Sequence, residues 1–171
     1  MLDIKYILLE EIGEYLDQAA ALVIEGGQWS SEDYVKGALE SCNFCVLAIL
    51  DGVVIGVSVA KHKLNANSIS YCTGGLLSVN KKYRKLGIAG KLLNLRNKHG
   101  LDNGIDLFLA TINPKNIPSI KCVMKEGYNY WNDIYYTETF FEHRFYIANS
   151  KVSEKHLKEL FGDANPQNPQ I

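Results

Sequence analysis

The stretch Asn80-Lys81-Lys82-Tyr83-Arg84-Lys85-Leu86-Gly87-Ile88-Ala89-Gly90 gathers four cationic side chains, two glycines and an alanine. It lies between a β-rich run ending at Val79 and an apolar run at helical spacing, Ile88, Leu92, Leu93 and Leu95. The first turn of a helix leaves backbone N–H groups without partners and carries the positive end of the helix dipole. Small residues there let an anion reach those amides, and Arg84 with its lysine neighbours adds charge, so the chemistry this stretch suits is phosphate binding. The bland counterpart is a turn shaped by Gly87 and Gly90 with a solvated basic face. A P-loop would need Gly-x-x-x-x-Gly-Lys followed by Ser or Thr, but Gly90-Lys91 is followed by Leu92. A Rossmann loop would need Gly-x-Gly-x-x-Gly, which is also missing.

Cysteine offers less. Cys42-x-x-Cys45 is half of a zinc pattern without a second pair, and Phe44 to Leu50 reads as a strand running out of it instead of the helix that a redox dithiol opens. All four cysteines (42, 45, 72 and 122) are therefore expected to be buried or half-buried thiols, with no metal site. Cys122 has no histidine placed beside it by the sequence and reads as a small core residue on a helix.

The elements that must position the loop follow from periodicity. Ile4 to Leu9 is β-rich, and Glu10 to Glu25 has helical spacing stopped by Gly26-Gly27. Ser30-Ser31-Glu32-Asp33 then caps a second helix. Phe44 to Leu50 and Val53 to Ala60 flank Asp51-Gly52, a hairpin signal, and Asn65 to Ser68 turns the chain into a strand from Ile69 to Val79. Gly74-Gly75 inside that strand implies a bulge or a close backbone approach. A helix from Ile88 to His99 ending at Gly100, a strand from Ile105 to Thr111, and a helix from Asn116 to Glu126 come next. Strands Tyr128 to Phe140 and His143 to Ile147, a helix from Ser153 to Phe161, and a frayed tail from Gly162 complete the chain. The order predicts a mixed α/β (α+β) sheet in which a right-handed crossover helix joins the strand ending at Val79 to a parallel neighbour.

At 171 residues, with 47% hydrophobic and 22% charged residues, the chain has the balance of one globular domain. A net charge of -1 disfavours nucleic acid as a partner. The absence of a long apolar run or a signal-peptide layout gives the expectation of a cytoplasmic protein without a membrane span.

Arg84-x-x-Gly87-x-Ala89 resembles the Arg/Gln-x-x-Gly-x-Gly/Ala pattern of the GNAT superfamily of acyl-CoA-dependent N-acyltransferases. Asn116-x-x-Ser119-Ile120 followed by Lys125-Glu126-Gly127-Tyr128 is similar to its second hallmark, and the match runs from about Phe44 to Tyr130. The resemblance implies a mostly antiparallel, twisted six- to seven-stranded sheet with helices on both faces and a splayed parallel pair at the cofactor site. Residues 1–150 would form the acyltransferase domain, and 151–171 a helix and flexible tail of that same domain. Carried over by position, the backbones of Leu77 and Val79 would bind pantetheine, and Arg84, Lys85, Leu86, Gly87, Ile88, Ala89 and Gly90 the diphosphate. Asn116 and Ser119 would add contacts to coenzyme A.

The implied reaction is attack by a small amine or peptide amine on the thioester of acetyl-CoA or another acyl-CoA, in a monomer or homodimer. A backbone N–H near Leu77 would stabilise the oxyanion. Many relatives place a tyrosine seven residues after the helix-opening Asn, where this chain has Val123. Replacement candidates for proton transfer are Tyr71, Glu25, and Tyr135 or Tyr136, each of which also reads as an ordinary strand tyrosine or helix-end charge. The acceptor would be chosen by the Gly26-Gly27-Gln28-Trp29 loop, the following helix and the late aromatic strands. The competing readings are a regulatory module that keeps acyl-CoA binding without fast turnover, and a phosphate-binding domain for another nucleotide.

Overall fold

Asp51 and Gly52 both take positive φ, +50° and +79°, the pair of conformations a two-residue hairpin requires. They join β2 (Phe44–Leu50) to β3 (Val53–Ala66) antiparallel, with Leu50 opposite Val53. The computed structural model describes residues 1–169, with the side chain of His62 excepted. Its contacts gather into two compact units, one of Met1–His62 with Gly74–His99, the other of Lys63–Thr73 with the chain from Gly100 onward.

In the first unit β1 (Lys5–Leu9) lies antiparallel to β2, and α1 (Leu16–Glu25) and α2 (Glu32–Glu40) follow β1. Ser31 caps α2, its hydroxyl accepting from the Tyr34 amide. All seven residues of β2 are buried, because alternate side chains enter two different layers. Cys45, Leu47 and Ile49 join Ala19, Val23, Val35 and Leu39 of α1 and α2. Val46, Ala48 and Leu50 join Ile88 and Leu92 of α3 (Ile88–Asp102). Each of the valine, leucine and isoleucine side chains among these contributes roughly 1.5–3 kcal/mol on burial. Helices thus cover both faces of this part of the sheet.

The second unit holds the first residues of β4 (Ile69–Val79), β5 (Leu107–Ile112), α4 (Ile117–Lys125), β6 (Asn129–Tyr135), β7 (Phe141–Ala148) and α5 (Glu154–Phe161). β4 and β5 are the parallel pair, registered as Tyr71–Leu107, Cys72–Phe108 and Thr73–Leu109. Beyond that ladder β4 continues to Val79 and β5 to Ile112. β7 pairs antiparallel with both β5 and β6. Seven strands are present among the described residues, and no helix of theirs is long and apolar enough to cross a membrane.

Four sequence expectations are corrected here. β3 extends to Ala66, and the turn into β4 is only Asn67-Ser68, both at positive φ. α3 does not end at Gly100 but runs to Asp102; a Cβ on Gly100 would stand 2.5 Å from the Phe108 ring, so that glycine serves close packing. The segment Tyr128 to Phe140 is a strand only over Asn129–Tyr135. The tail is not frayed from Gly162: Trp131 Nε1 donates to Gly162 O (2.9 Å), Asn132 Nδ2 to Asp163 O (2.9 Å), and the Asn165 amide to Trp131 O (2.8 Å). Gln170 and Ile171 lie outside the described residues.

One buried carboxylate fastens the second unit. Asp106 accepts from the Ser70 amide (2.9 Å), Asn149 Nδ2 (3.0 Å) and Lys151 Nζ (3.2 Å). These donors hold its carboxyl below the usual range against the opposing effect of burial. Asp106→Ala is expected to cost about 2–3 kcal/mol in urea unfolding at neutral pH, from lost hydrogen bonds to a charged group. Because the folded pKa is depressed, this contribution is present above the unfolded carboxyl value, about 3.9, and fades as pH falls through the folded one. The variant and the parent should therefore converge in acid.

Candidate functional site

The loop after β4 begins with Asn80, whose Oδ1 accepts from the Lys82 amide (3.0 Å) and opens a short 3-10 turn, Lys81–Tyr83. Lys85 (φ +65°) and Gly87 (φ +79°) are left-handed, and α3 starts at Ile88. Gly87 O receives the first helical hydrogen bond, from the Lys91 amide at 3.0 Å. The amides of Ile88, Ala89 and Gly90 are then the unpaired donors of the first turn, with no acceptor among the described residues. Two left-handed residues in one tight turn directly before the helix belong to the kind of turn whose successive amides can receive an anion. Arg84 is exposed and uses Nε to hold Val79 O (3.0 Å), which ties the loop to the end of β4 and leaves its terminal nitrogens to solvent.

β4 is irregular just upstream. Leu76 sits at φ +52° although it is a buried leucine, a conformation that costs roughly 1–2 kcal/mol per non-glycine residue. The expected irregularity of the strand is therefore at Leu76, while Gly74 and Gly75 serve close approach. A Cβ on Gly74 would lie 2.6–2.9 Å from the Arg96 guanidinium, and one on Gly75 would lie 2.5 Å from Lys61 Cε. Arg96 is 2% exposed, bonded to Asn97 Oδ1 (2.9 Å) and Ser58 Oγ (3.2 Å).

On the α1–α2 face, Gly26 abuts β4, since a Cβ there would be 2.9 Å from Ser78 Oγ. Trp29, in the loop that follows, stacks on Tyr34 at 5.0 Å. The Lys61 ammonium lies over the Trp29 ring, 5.6 Å from its centroid. Leu76 points into the layer formed with α1 and α2, whereas Val79, with Leu77 packed beside it, belongs to the layer formed with α3.

A sequence model of the acetyltransferase (GNAT) family matches residues 10–128. The chain belongs to the GNAT family. No curated protein sequence matches it. Among solved structures it is similar to an N-acetyltransferase from Staphylococcus aureus Mu50 (14% identity, TM-score 0.68, 85% of this chain and 97% of that one). It is also similar to a chain of the NatC complex bound to Gag peptide and CoA (18% identity, TM-score 0.72, 87% and 100%). A third is a diaminobutyrate acetyltransferase from Paenibacillus lautus in complex with L-2,4-diaminobutyric acid and coenzyme A (14% identity, TM-score 0.65, 86% and 96%). At these identities the likeness is one of fold.

The first unit of this GNAT chain brings together Leu77, Val79 and Arg84 through Gly90; Glu25, exposed, precedes the Gly26 contact. Tyr71, Asn116 and Ser119 belong to the second unit. Tyr71 packs edge-on against Phe161 (5.8 Å) beside Leu157 and Trp131. Asn116 caps α4, its Oδ1 accepting from the Ser119 amide at 3.3 Å. Val123 is buried. Tyr136 donates to Glu142 (2.9 Å), and burial followed by that carboxylate raises its hydroxyl pKa; Tyr135 stacks on Phe141. Cys122 is half-buried, and burial with Glu126 pushes its thiol up, away from the thiolate a nucleophile needs.

The sequence reading missed a half-buried polar cluster, Asp133 with His143, whose Oδ1 and Nδ1 are 2.6 Å apart. A carboxylate only accepts, so Nδ1 carries the hydrogen, and Tyr130 donates to the same Oδ1 at 2.8 Å. Burial, then Asp133, pushes the Tyr130 hydroxyl up to about 12. Only the β6–β7 register, Asp133 opposite His143, reveals this pair. Lys61 was missed because nothing local distinguishes it from any strand lysine.

Proposed function

We propose that this chain transfers an acyl group from acyl-CoA, acetyl-CoA first, to the amine of a small molecule or peptide. The observation that carries the reading is the start of α3: three unpaired amides behind two left-handed residues, in the family's Arg84-x-x-Gly87-x-Ala89 setting. The diphosphate would rest on those amides with Arg84 beside it. The pantetheine arm would run along the backbones of Leu77 and Val79, which leads its thioester back toward the Leu76 irregularity; Asn116 and Ser119 remain contacts on the strength of the resemblance. The neutral amine nitrogen attacks the thioester carbonyl, C–N forms, C–S breaks, and the electron pair leaves on sulfur. The amine's proton passes to base or water, and the thiolate takes one from solvent. Val123, buried and without a dissociable hydrogen, supplies none.

The same valine favours a second reading, a CoA-binding module with slow turnover. Acetyl-CoA at about a hundred times its Kd is expected to stabilise the fold by about 2.7 kcal/mol. For a chain of this size that raises the melting temperature by about 5–10 °C. ATP at the same concentration should leave it unchanged, and Arg84→Ala should weaken acetyl-CoA roughly tenfold, checked by calorimetry. No shift with any CoA thioester would sink the donor assignment. Tight acetyl-CoA binding without acceptor-dependent thiol release, across a panel of amines, would favour the module.

A further inference from the structure

Lys61 stands out once the donor side is assigned. Its side chain crosses β4 at Gly75, one residue before Leu76, and ends over Trp29. It lines a depression of about 390 Å3 with Asp33, Tyr34, Gly37, Ala38, Ser41 and Cys42. Among the described residues no carboxylate pairs with it, in contrast to Lys36 on the neighbouring helix, which holds Asp17 and Glu32, each at 3.0 Å. Asp33, the acid of the depression, is exposed in the first turn of α2, where solvent and the helix dipole satisfy it. Lys61 sits on a strand instead, half-buried, with its stem against Gly75 and its ammonium over the Trp29 ring.

From this arrangement we infer that Lys61 is the anchor for a carboxylate on the acceptor, so that the amine acylated belongs to an amino acid or a similar small aminocarboxylate. The inference rests on the acyltransferase reading of the same site. Three observations place the depression on the acceptor's side of β4. Gly26 clamps the α1–α2 loop to Ser78. Leu76 turns toward α1 and α2, the layer that contributes the depression's α2 wall. The donor loop leads instead into α3, on the other face of the sheet. Donor and acceptor would then approach β4 from its two faces and meet at the Leu76 irregularity, where an amine nitrogen could reach the thioester carbonyl. A single ammonium sharing its depression with Asp33 suits a monoanion, a carboxylate, better than a phosphate dianion. The stacked Trp29–Tyr34 pair offers an apolar wall for the acceptor's side chain.

The test uses the full chain with saturating acetyl-CoA and acceptor pairs that differ only in the carboxylate: leucine against isopentylamine, tyrosine against tyramine, lysine against lysinamide. The carboxylated member is expected to have at least tenfold higher kcat/KM. Lys61→Met, which keeps the stem over Gly75 and Trp29, should raise its KM about tenfold or more while kcat and acetyl-CoA affinity stay as they were; Lys61→Arg should restore most of the loss. Equal use of the decarboxylated or amidated partners overturns the inference, as does an unchanged KM in Lys61→Met. Weakened acetyl-CoA binding in that variant would place Lys61 on the donor and also overturn it. If acetyl-CoA fails to bind the parent at all, the donor reading has failed separately. Direct calorimetric titration with the three amino acids then decides the Lys61 site: binding lost in Lys61→Met supports it, and no binding to the parent refutes it.

Discussion

Gly74→Ala is expected to lower the melting temperature by about 6–12 °C. The new Cβ would stand 2.6 Å from Arg96 Nη1 and 2.8 Å from Nη2, distances that real contacts do not reach. Arg96 cannot swing aside without releasing Ser58 Oγ and Asn97 Oδ1, and at 2% exposure it has no water to turn to. Overpacking and strained hydrogen bonds to a buried charge together cost about 3 kcal/mol, and each kcal/mol is worth about 2–4 °C at this length. Gly75→Ala supplies the control. Its nominal overlap with Lys61 Cε is as severe, 2.5 Å, but a half-buried lysine stem yields, so its stability should fall by about 1 kcal/mol or less. Differential scanning calorimetry of the two variants distinguishes them; equal melting temperatures would show that Arg96 relaxes as readily as Lys61.

Ala89→Glu is expected to abolish acetyl-CoA binding while the unliganded protein melts within about 3 °C of the parent. A carboxylate in the first turn of α3 interacts favourably with the helix dipole, by about 0.3–1 kcal/mol, which offsets the packing disturbed where Ala89 borders the Ile88 and Leu92 layer. The same carboxylate would stand in the first turn whose three free amides are proposed to receive the diphosphate. Two like charges about 4 Å apart repel by about 4 kcal/mol at an effective dielectric of 20, which is a loss of several hundredfold or more. Calorimetric titration and the melting curve of the unliganded variant are read together. Retained affinity would mean the diphosphate does not lie at the start of α3, and a collapsed unliganded fold would mean Ala89 is a core residue first.

Where local chemistry decides the conformation, the amino-acid order was readable. Asp51-Gly52 states its own hairpin, Ser31 its own cap, and β4 runs over the residues its pattern indicates, Ile69 to Val79. The loop before α3 was equally plain as a turn into a helix, with Gly87 left-handed and the helical period beginning at Ile88. What was hidden depends on partners distant in the chain. Gly100 reads as a helix stop until Phe108 arrives against it, and Gly74-Gly75 reads as a bulge until Arg96 and Lys61 are seen to pass there. Leu76 is left-handed although leucine carries no signal for it; its place in the α1–α2 layer fixes the side chain and the backbone yields. Asp133 and His143 meet only through strand register.

The contact between Gly26 and Ser78 separates two kinds of inheritance. With no side chain at position 26, the end of α1 comes close to the Ser78 hydroxyl of β4. Gly27, exposed and left-handed at φ +82°, closes the helix by donating its amide to Ile24 O (3.0 Å), and Gln28 after it is exposed. Descendants of this chain can therefore vary the loop from Gln28 onward, and with it the proposed acceptor side, without disturbing the strand on which acyl-CoA is proposed to lie. Position 26 is the fixed point around which such divergence turns.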